Sequence, residues 1–189
     1  MIIMDTAMNV EVLKIPKERI GVIVGKGGEI KNRIEKELKV EIDIEEDGEI
    51  TIFSTKEQED PLATWKARDI IKAIGRGFNP EKSLKLISDD YIIEIIDITE
   101  HASSDNAVKR LKGRVIGSGG KSRRYIEELT DTDVSVYGKT IAVLGDYESV
   151  QIAKEAINMI LRGNSHSKMY KYLERHRQDI KRKELELWK

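Results

Sequence analysis

The 189-residue chain carries 33 basic and 34 acidic residues, a formal net charge of −1, and charged residues make up 35% of its composition. It has no cysteine, which excludes disulfide bonds and catalytic thiolates, and no stretch that predicts a membrane-spanning helix or a signal peptide. We therefore expect a soluble, cytoplasmic protein without membrane association.

The first predicted elements are a strand, a short helix and a glycine turn. Apolar residues alternate from Asn9 to Ile15, Pro16 ends that strand, and Ile20 to Val24 predicts one short apolar helix. Gly25-Lys26-Gly27-Gly28 follows immediately. Glycine at three of four positions indicates a backbone with positive φ, or a surface on which something packs directly.

A helix, a hairpin and a second helix complete the first half. Ile30, Ile34 and Leu38 fall on one face of the predicted helix from Glu29 to Leu38. Alternation from Val40 to Ile44 and from Ile50 to Ile52 predicts a hairpin that turns at Asp47-Gly48. Asp60-Pro61 predicts the N-cap and first position of the next helix.

The second half repeats this order. Gly117-Ser118-Gly119-Gly120 lies 92 residues after the first turn and is followed by a helix-like stretch from Lys121 to Thr130. An isoleucine-rich strand from Tyr91 to Ile98 precedes it, and a hairpin with a helix capped by Asp146 follows it. A basic amphipathic helix, predicted from Lys168 to Lys189 with Met169, Leu173 and Ile180 on one side, ends the chain.

Each half thus predicts the order β-α-α-β-β-α, with the glycine turn between its first two helices. The predicted fold class is α+β, in which a three-stranded antiparallel sheet carries helices on one face, twice over, with an additional C-terminal helix. The predicted boundaries are 9–78 for the first domain, 79–90 for a connector, 91–163 for the second domain and 164–189 for the last helix.

The spacing of the glycines excludes two nucleotide-binding motifs. A Walker A loop requires a glycine where Ile20 stands and a Ser or Thr where Gly27 stands. A dinucleotide fingerprint requires a third glycine at Ile30 or Ser122. What remains is a Gly-x-x-Gly turn between two short helices, which resembles the K-homology (KH) domain, a module whose loop clamps a nucleic-acid backbone.

Charge is segregated in a way that suits such a domain. Seven basic residues and no acidic one lie between Asn106 and Ile126, around the second turn. Residues 41–60 carry nine acids against one lysine, Lys56. This arrangement places positive potential at the glycine turns and negative potential on the first hairpin.

The resemblance to KH domains implies that phosphates meet the glycine turns while bases lie along a narrow groove beside them. In the first domain it assigns RNA binding to Gly25, Lys26, Gly27, Gly28 and Lys31. In the second domain it assigns RNA binding to Arg114, Gly117, Ser118, Gly119, Gly120, Lys121, Arg123, Arg124 and Val136.

The second glycine turn and the residues on either side of it resemble one family of KH proteins in particular. The segment from Lys112 to Thr130, together with Val134 to Thr140, looks like the KH core of ribosomal small-subunit assembly factors. It most resembles the archaeal relatives of the eukaryotic partner-of-Nob (Dim-two type) family, and Arg76-Gly77-Phe78 is similar to that family too. The first turn departs from eukaryotic relatives, whose first KH unit is degenerate, because Gly25 to Gly28 is intact here.

The resemblance implies a protein that binds single-stranded RNA in the 3′ region of small-subunit rRNA during ribosome maturation. It also implies partners, namely a PIN-domain endonuclease and other pre-small-subunit factors, and no cofactor or metal. Three alternatives remain: a protein-interaction scaffold in translation or ribosome assembly, an RNA-binding factor of the KRR-motif processome type, and a metal-independent nuclease, which a cleavage assay on single-stranded RNA would test. An enzyme is not expected, because the three histidines lack metal-ligand spacing.

Overall fold

The computed structural model describes residues 9–187 and divides the chain into two compact units, the first ending at Asp89 and the second beginning at Asp90. Each unit has the same architecture, a three-stranded antiparallel sheet with helices packed on one face. None of the helices in the described part is long and apolar enough to cross a membrane.

The first unit follows the predicted order. Its elements are β1 (Val10–Lys14), α1 (Ile20–Val24), α2 (Glu29–Leu38), β2 (Val40–Ile44), β3 (Glu49–Ser54) and α3 (Ala63–Gly75). The strand order is β1-β3-β2, which leaves β1 and β2 at the two edges of the sheet. A short helix, α4 (Pro80–Ser83), and a 3-10 turn from Leu84 to Ile87 follow.

The core of this unit explains the pattern of its sequence. Ile42 and Ile52 are paired across β2 and β3 and are both buried, as the alternation in these strands requires. Ile34 on α2 and Ile70 on α3 are also fully buried. The apolar face of each helix therefore closes over the same side of the sheet.

The second unit repeats the plan and adds a helix. Its elements are β4 (Tyr91–Asp97), α5 (Asp105–Ile116), α6 (Lys121–Thr130), β5 (Asp133–Tyr137), β6 (Thr140–Asp146), α7 (Tyr147–Leu161) and α8 (His166–Leu187). The strand order β4-β6-β5 corresponds to that of the first sheet, so β5 is an edge strand as β2 is.

The last helix packs on the second unit through an apolar stripe and a tyrosine contact. Met169 and Leu173 are buried in the core of that unit, whereas the side chain of Ile180 lies outside the described residues. The ring centroids of Tyr125 on α6 and Tyr170 on α8 are 4.5 Å apart. Tyr125 also donates a 2.6 Å hydrogen bond to Glu174, and this bond, aided by burial, raises the pKa of Tyr125 to about 12.

Two predicted helix starts are wrong and one is confirmed. The third helix begins at Ala63, later than the predicted cap, because Asp60 accepts the N–H of Leu62 and holds that segment as a turn. The final helix begins at His166, two residues before Lys168. Asp146 does cap α7, since its Oδ1 accepts a 3.0 Å hydrogen bond from the N–H of Ser149.

Candidate nucleic-acid interface

The two glycine turns have nearly the same backbone conformation. Gly25 has φ 75° and ψ 177°, and Gly117 has φ 74° and ψ 172°. The third and fourth positions of each turn also have positive φ, 62° and 85° in the first and 56° and 77° in the second. The positive φ at the first, third and fourth positions of each turn explains why both sequences have glycine at these places.

The first glycine of each turn is needed for close packing. A Cβ at Gly25 would lie 2.6 Å from Cγ1 of Ile30, and a Cβ at Gly117 would lie 2.6 Å from Cβ of Ser122. Each turn is thereby pressed against the first turn of the helix that follows it.

The third glycine of each turn faces open space. A Cβ at Gly27 or Gly119 would meet no atom within 4 Å, and both residues are exposed. The side chains before them, Lys26 and Ser118, are exposed as well. An extended ligand can therefore approach the main chain of either turn from solvent.

The helices that follow the turns differ in the charge at their N-termini. α2 begins with Glu29, whereas α6 begins with Lys121. Since a helix N-terminus attracts anions, the acid at α2 weakens that attraction and the lysine at α6 adds to it. The second turn is therefore the better anion site of the two.

The edge strands β2 and β5 lie beside these helices and are joined to them by a carboxylate. Oε1 of Glu35 on α2 accepts a 2.9 Å hydrogen bond from the main-chain N–H of Ile42. Oε1 of Glu127 on α6 accepts a 2.8 Å hydrogen bond from the N–H of Val134. In each unit the helix and the edge strand therefore lie side by side, and we call the surface between them the groove.

The cations predicted for this groove lie at its helix side. Lys31 forms a 3.2 Å ion pair with Glu35, and Arg123 approaches Glu127 with 3.6 Å between Nε and Oε2. Lys121 and Arg124 are exposed beside the second turn. Val136 is half-buried on β5 and packs against the core.

Arg114 is placed differently from the other predicted cations. Its guanidinium donates to the carbonyl oxygens of Ile160 at 2.9 Å and Asn164 at 2.6 Å, at the C-terminal end of α7. In the first unit Arg19 does the same for α3, donating at 2.8 Å to the carbonyls of Ile74 and Phe78. Arg114 is thus engaged in the fold, and we give it a structural role.

Two groove residues were missed as candidates by the sequence analysis. Glu35 and Glu127 occupy equivalent positions, ten residues after the first glycine of each turn. That equivalence was a usable signal, because acids repeated at one place in an otherwise basic region need a reason. Among the described residues, no group of histidines and acids lies close enough together to hold a metal ion.

Family models match both units. Residues 10–62 match a family model described as KH domain. Residues 92–178 match a model for the second KH domain of PNO1, described as a eukaryotic type KH-domain (KH-domain type I). A curated KH domain-containing protein of Methanocaldococcus jannaschii is 64% identical over 96% of this chain and 80% of its own length.

The chain is also similar to solved structures in its three-dimensional fold. Dim2p from Pyrococcus horikoshii is 49% identical, with a TM-score of 0.83 over 88% of this chain and 99% of that chain. The chain belongs to the archaeal Dim2p family of two-KH-domain proteins. A chain in the P. horikoshii complex of a/eIF2α, aDim2p and rRNA is 47% identical, with a TM-score of 0.87 over 93% of this chain and 97% of that chain.

More distant relatives of the Dim2p family are eukaryotic. The RNA-binding protein PNO1 of Oryzias latipes is 32% identical over 64% of this chain, and that of Ixodes scapularis is 29% identical over the same share. This chain spans about half the length of these PNO1 proteins, 51% and 53% respectively.

Proposed function

We propose that this Dim2p-family protein binds single-stranded RNA in the grooves beside its glycine turns, and that the second groove contributes most of the affinity. The observation that carries the proposal is the second turn, where Gly119 has open space and the next helix begins with the exposed cation Lys121. A phosphodiester can lie against such a turn because no Cβ holds it away from the main-chain N–H groups.

The residues that the sequence analysis assigned to RNA binding fall into two groups, those at the glycine turns and those along the grooves. The proposed phosphate contacts are Gly25, Lys26, Gly27 and Gly28 in the first turn, and Gly117, Ser118, Gly119, Gly120, Lys121 and Arg124 at the second. The proposed groove contacts are Lys31, Arg123 and Val136. Arg114 supports the second groove from within the fold.

We further propose that the RNA is small-subunit rRNA near its 3′ end and that the protein acts in ribosome maturation. The support is membership of the Dim2p family, one member of which is described in a complex with rRNA, and similarity to proteins named RNA-binding protein PNO1. The proposed partners are a PIN-domain endonuclease and other pre-small-subunit factors.

The first experiment compares single-stranded RNA with a fully paired RNA of the same sequence over a series of salt concentrations. We expect tighter binding of the single strand, because its bases are unstacked and accessible, whereas the deep major groove of an A-form duplex is closed to side chains. Affinity should fall steeply with salt, since phosphate contacts release counterions. Equal affinity for both RNAs, or a flat salt dependence, would favour the alternative of a protein-interaction scaffold.

The second experiment locates the RNA in cells. Crosslinked RNA recovered with the full-length protein should map to the 3′ region of small-subunit rRNA. A map concentrated elsewhere on pre-rRNA would contradict the 3′ assignment and support the processome alternative.

A further inference from the structure

The carboxylates of Glu35 and Glu127 stand at the same place in the two grooves. Each accepts the main-chain N–H of the edge strand seven residues further along the chain, at 2.9 Å for Ile42 and 2.8 Å for Val134. Each side chain keeps 21% of its surface exposed. The same hydrogen bond, the same spacing along the chain and the same side-chain exposure occur in two units whose sequences have diverged. This repetition indicates a shared role.

These carboxylates extend from the helix side of the groove to its strand side. β2 pairs with β3 along one edge only, and the N–H of Ile42 points away from β3, since it donates to Glu35 on α2. A base that entered between α2 and β2 at this point would approach the carboxylate oxygen that covers this N–H.

Glu127 retains capacity to accept a second hydrogen bond. Its Oε1 is bonded to Val134, but its Oε2 lies 3.6 Å from Nε of Arg123, which is beyond hydrogen-bonding distance. An ionised carboxylate can accept hydrogen bonds but cannot donate one. It can therefore accept from an amino group of a ligand, whereas a carbonyl oxygen placed there is repelled.

We propose that Glu127, and Glu35 in the first groove, select bases that carry an exocyclic amino group and disfavour uracil. Cytosine and adenine each present an amino group that a carboxylate accepts, and uracil presents a carbonyl oxygen at the corresponding position. This inference rests on the proposed binding of single-stranded RNA. It assigns a specificity role to two acids that a purely electrostatic view of the site would count as unfavourable.

The test measures binding of oligocytidine and oligouridine of equal length at neutral pH and one fixed salt concentration. We expect the unchanged protein to prefer oligocytidine by about fivefold or more, as a hydrogen bond to a charged group warrants. Glu127→Gln should reduce this preference to about twofold or less, because its amide can donate to the uracil carbonyl. The glutamine oxygen can still accept the Val134 N–H, so the fold is retained.

The matched control is Glu128→Gln, which removes the same charge from the neighbouring, exposed residue and should leave the preference unchanged. A second measurement needs no variant. An oligonucleotide whose bases are cytosine without the 4-amino group should bind the unchanged protein as weakly as oligouridine. The comparison then depends on the amino group alone.

The outcomes separate this inference from the function on which it rests. Salt-sensitive binding of both oligonucleotides without preference would overturn the inference and leave the proposed function intact. A preference that survives the double variant Glu35→Gln with Glu127→Gln, or the loss of the amino group, would also overturn it. Failure to bind any single-stranded RNA would instead contradict the proposed function.

Discussion

At the scale of single residues, the glycines of the turns do two different jobs. Gly25 and Gly117 leave room for the following helix, because a Cβ there would meet it at 2.6 Å. Gly27 and Gly119 have open space around them and keep the outer surface of the turn bare. The first pair is therefore required for packing in addition to its proposed phosphate contacts, whereas the second pair has no packing role and is proposed to contact phosphate only.

This division predicts different outcomes for two alanine substitutions in the second turn. Gly117→Ala should lower the free energy of unfolding by about 2 kcal/mol or more, since it combines positive φ with a clash at Ser122. Gly119→Ala has the positive φ without the clash and should lower the free energy of unfolding by about 1 kcal/mol. Urea unfolding of both variants measures the difference, and equal losses would contradict it.

RNA binding by the same two variants provides the complementary readout. Gly119→Ala should weaken binding even at temperatures where it is fully folded, because its methyl group lies on the face proposed to meet phosphate. A folded Gly119→Ala protein with unchanged affinity would mean that the ligand does not touch this face.

At the scale of elements, two arginines close the ends of corresponding helices. Arg19 donates to the carbonyl of Ile74 in the last turn of α3 and to that of Phe78 just beyond it. Arg114 donates in the same way to Ile160 in the last turn of α7 and to Asn164 just beyond it. The carbonyl of Arg114 in turn lies 2.8 Å from Nε2 of His166, where α8 begins. The helix before the second turn, the end of α7 and the start of α8 are thus joined at one point.

We expect Arg114→Ala to act on stability rather than on phosphate contacts. The loss of two charge-assisted hydrogen bonds should lower the free energy of unfolding by about 2 kcal/mol or more. Arg114→Lys should restore little of it, because an ammonium lacks the planar fork that reaches both carbonyls. Thermal or urea unfolding is the measurement, with the exposed Arg110→Ala as control.

The salt dependence of RNA binding distinguishes this role from the one that the sequence analysis assigned. If Arg114 touches no phosphate, the slope of log affinity against log salt is the same in Arg114→Ala as in the unchanged protein. A shallower slope together with unchanged stability would restore Arg114 to the RNA-binding surface.

The elements themselves were predictable because their signals are local. Alternation in the hairpins, the stripe on α2 and the cap at Asp146 each arise from neighbouring residues, and each led to the right element. The partners of Arg114 lie 46 and 50 residues away, so a count of charges along the chain could not reveal them. Asp60 misled for a related reason, since capping residues also favour turns.

At the scale of the whole molecule, charge separates the two grooves. Residues 106–126 sum to +7, whereas the corresponding span of the first unit, residues 14–39, sums to +4. The first hairpin adds exposed acids such as Glu41 and Asp43 beside the first groove. Exposed charges within about one Debye length add or cancel, so the first groove has the weaker positive potential.

The two turns should therefore respond unequally to the same kind of change. Ser118→Asp with Gly119→Asp should weaken RNA binding at least tenfold, or about 1.4 kcal/mol, by placing negative charge and Cβ atoms where phosphate is proposed to lie. Lys26→Asp with Gly27→Asp should cost less, even though it also removes the positive charge of Lys26. Titration of one single-stranded RNA with both double variants makes the comparison.

A matched control adds two negative charges at the far end of α5. The control changes are Ser103→Asp, just before α5, and Asn106→Asp in its first turn. Asn106 lies about 16 Å along the helix axis from the second turn, beyond the Debye length at physiological salt. This double variant should change affinity little. If the first-turn variant abolishes binding while the second-turn variant does not, charge is the wrong guide to the ranking of the grooves.

The carboxylates beside and on the edge strands also affect the protein when no RNA is present. A strand at the edge of a sheet offers unpaired N–H groups to which a strand of another molecule can add. Glu35 covers the N–H of Ile42 in the middle of β2, and the exposed acids Glu41 and Asp43 on that strand repel a second copy of themselves. The groove of the unbound protein is thereby kept from serving as a template for aggregation.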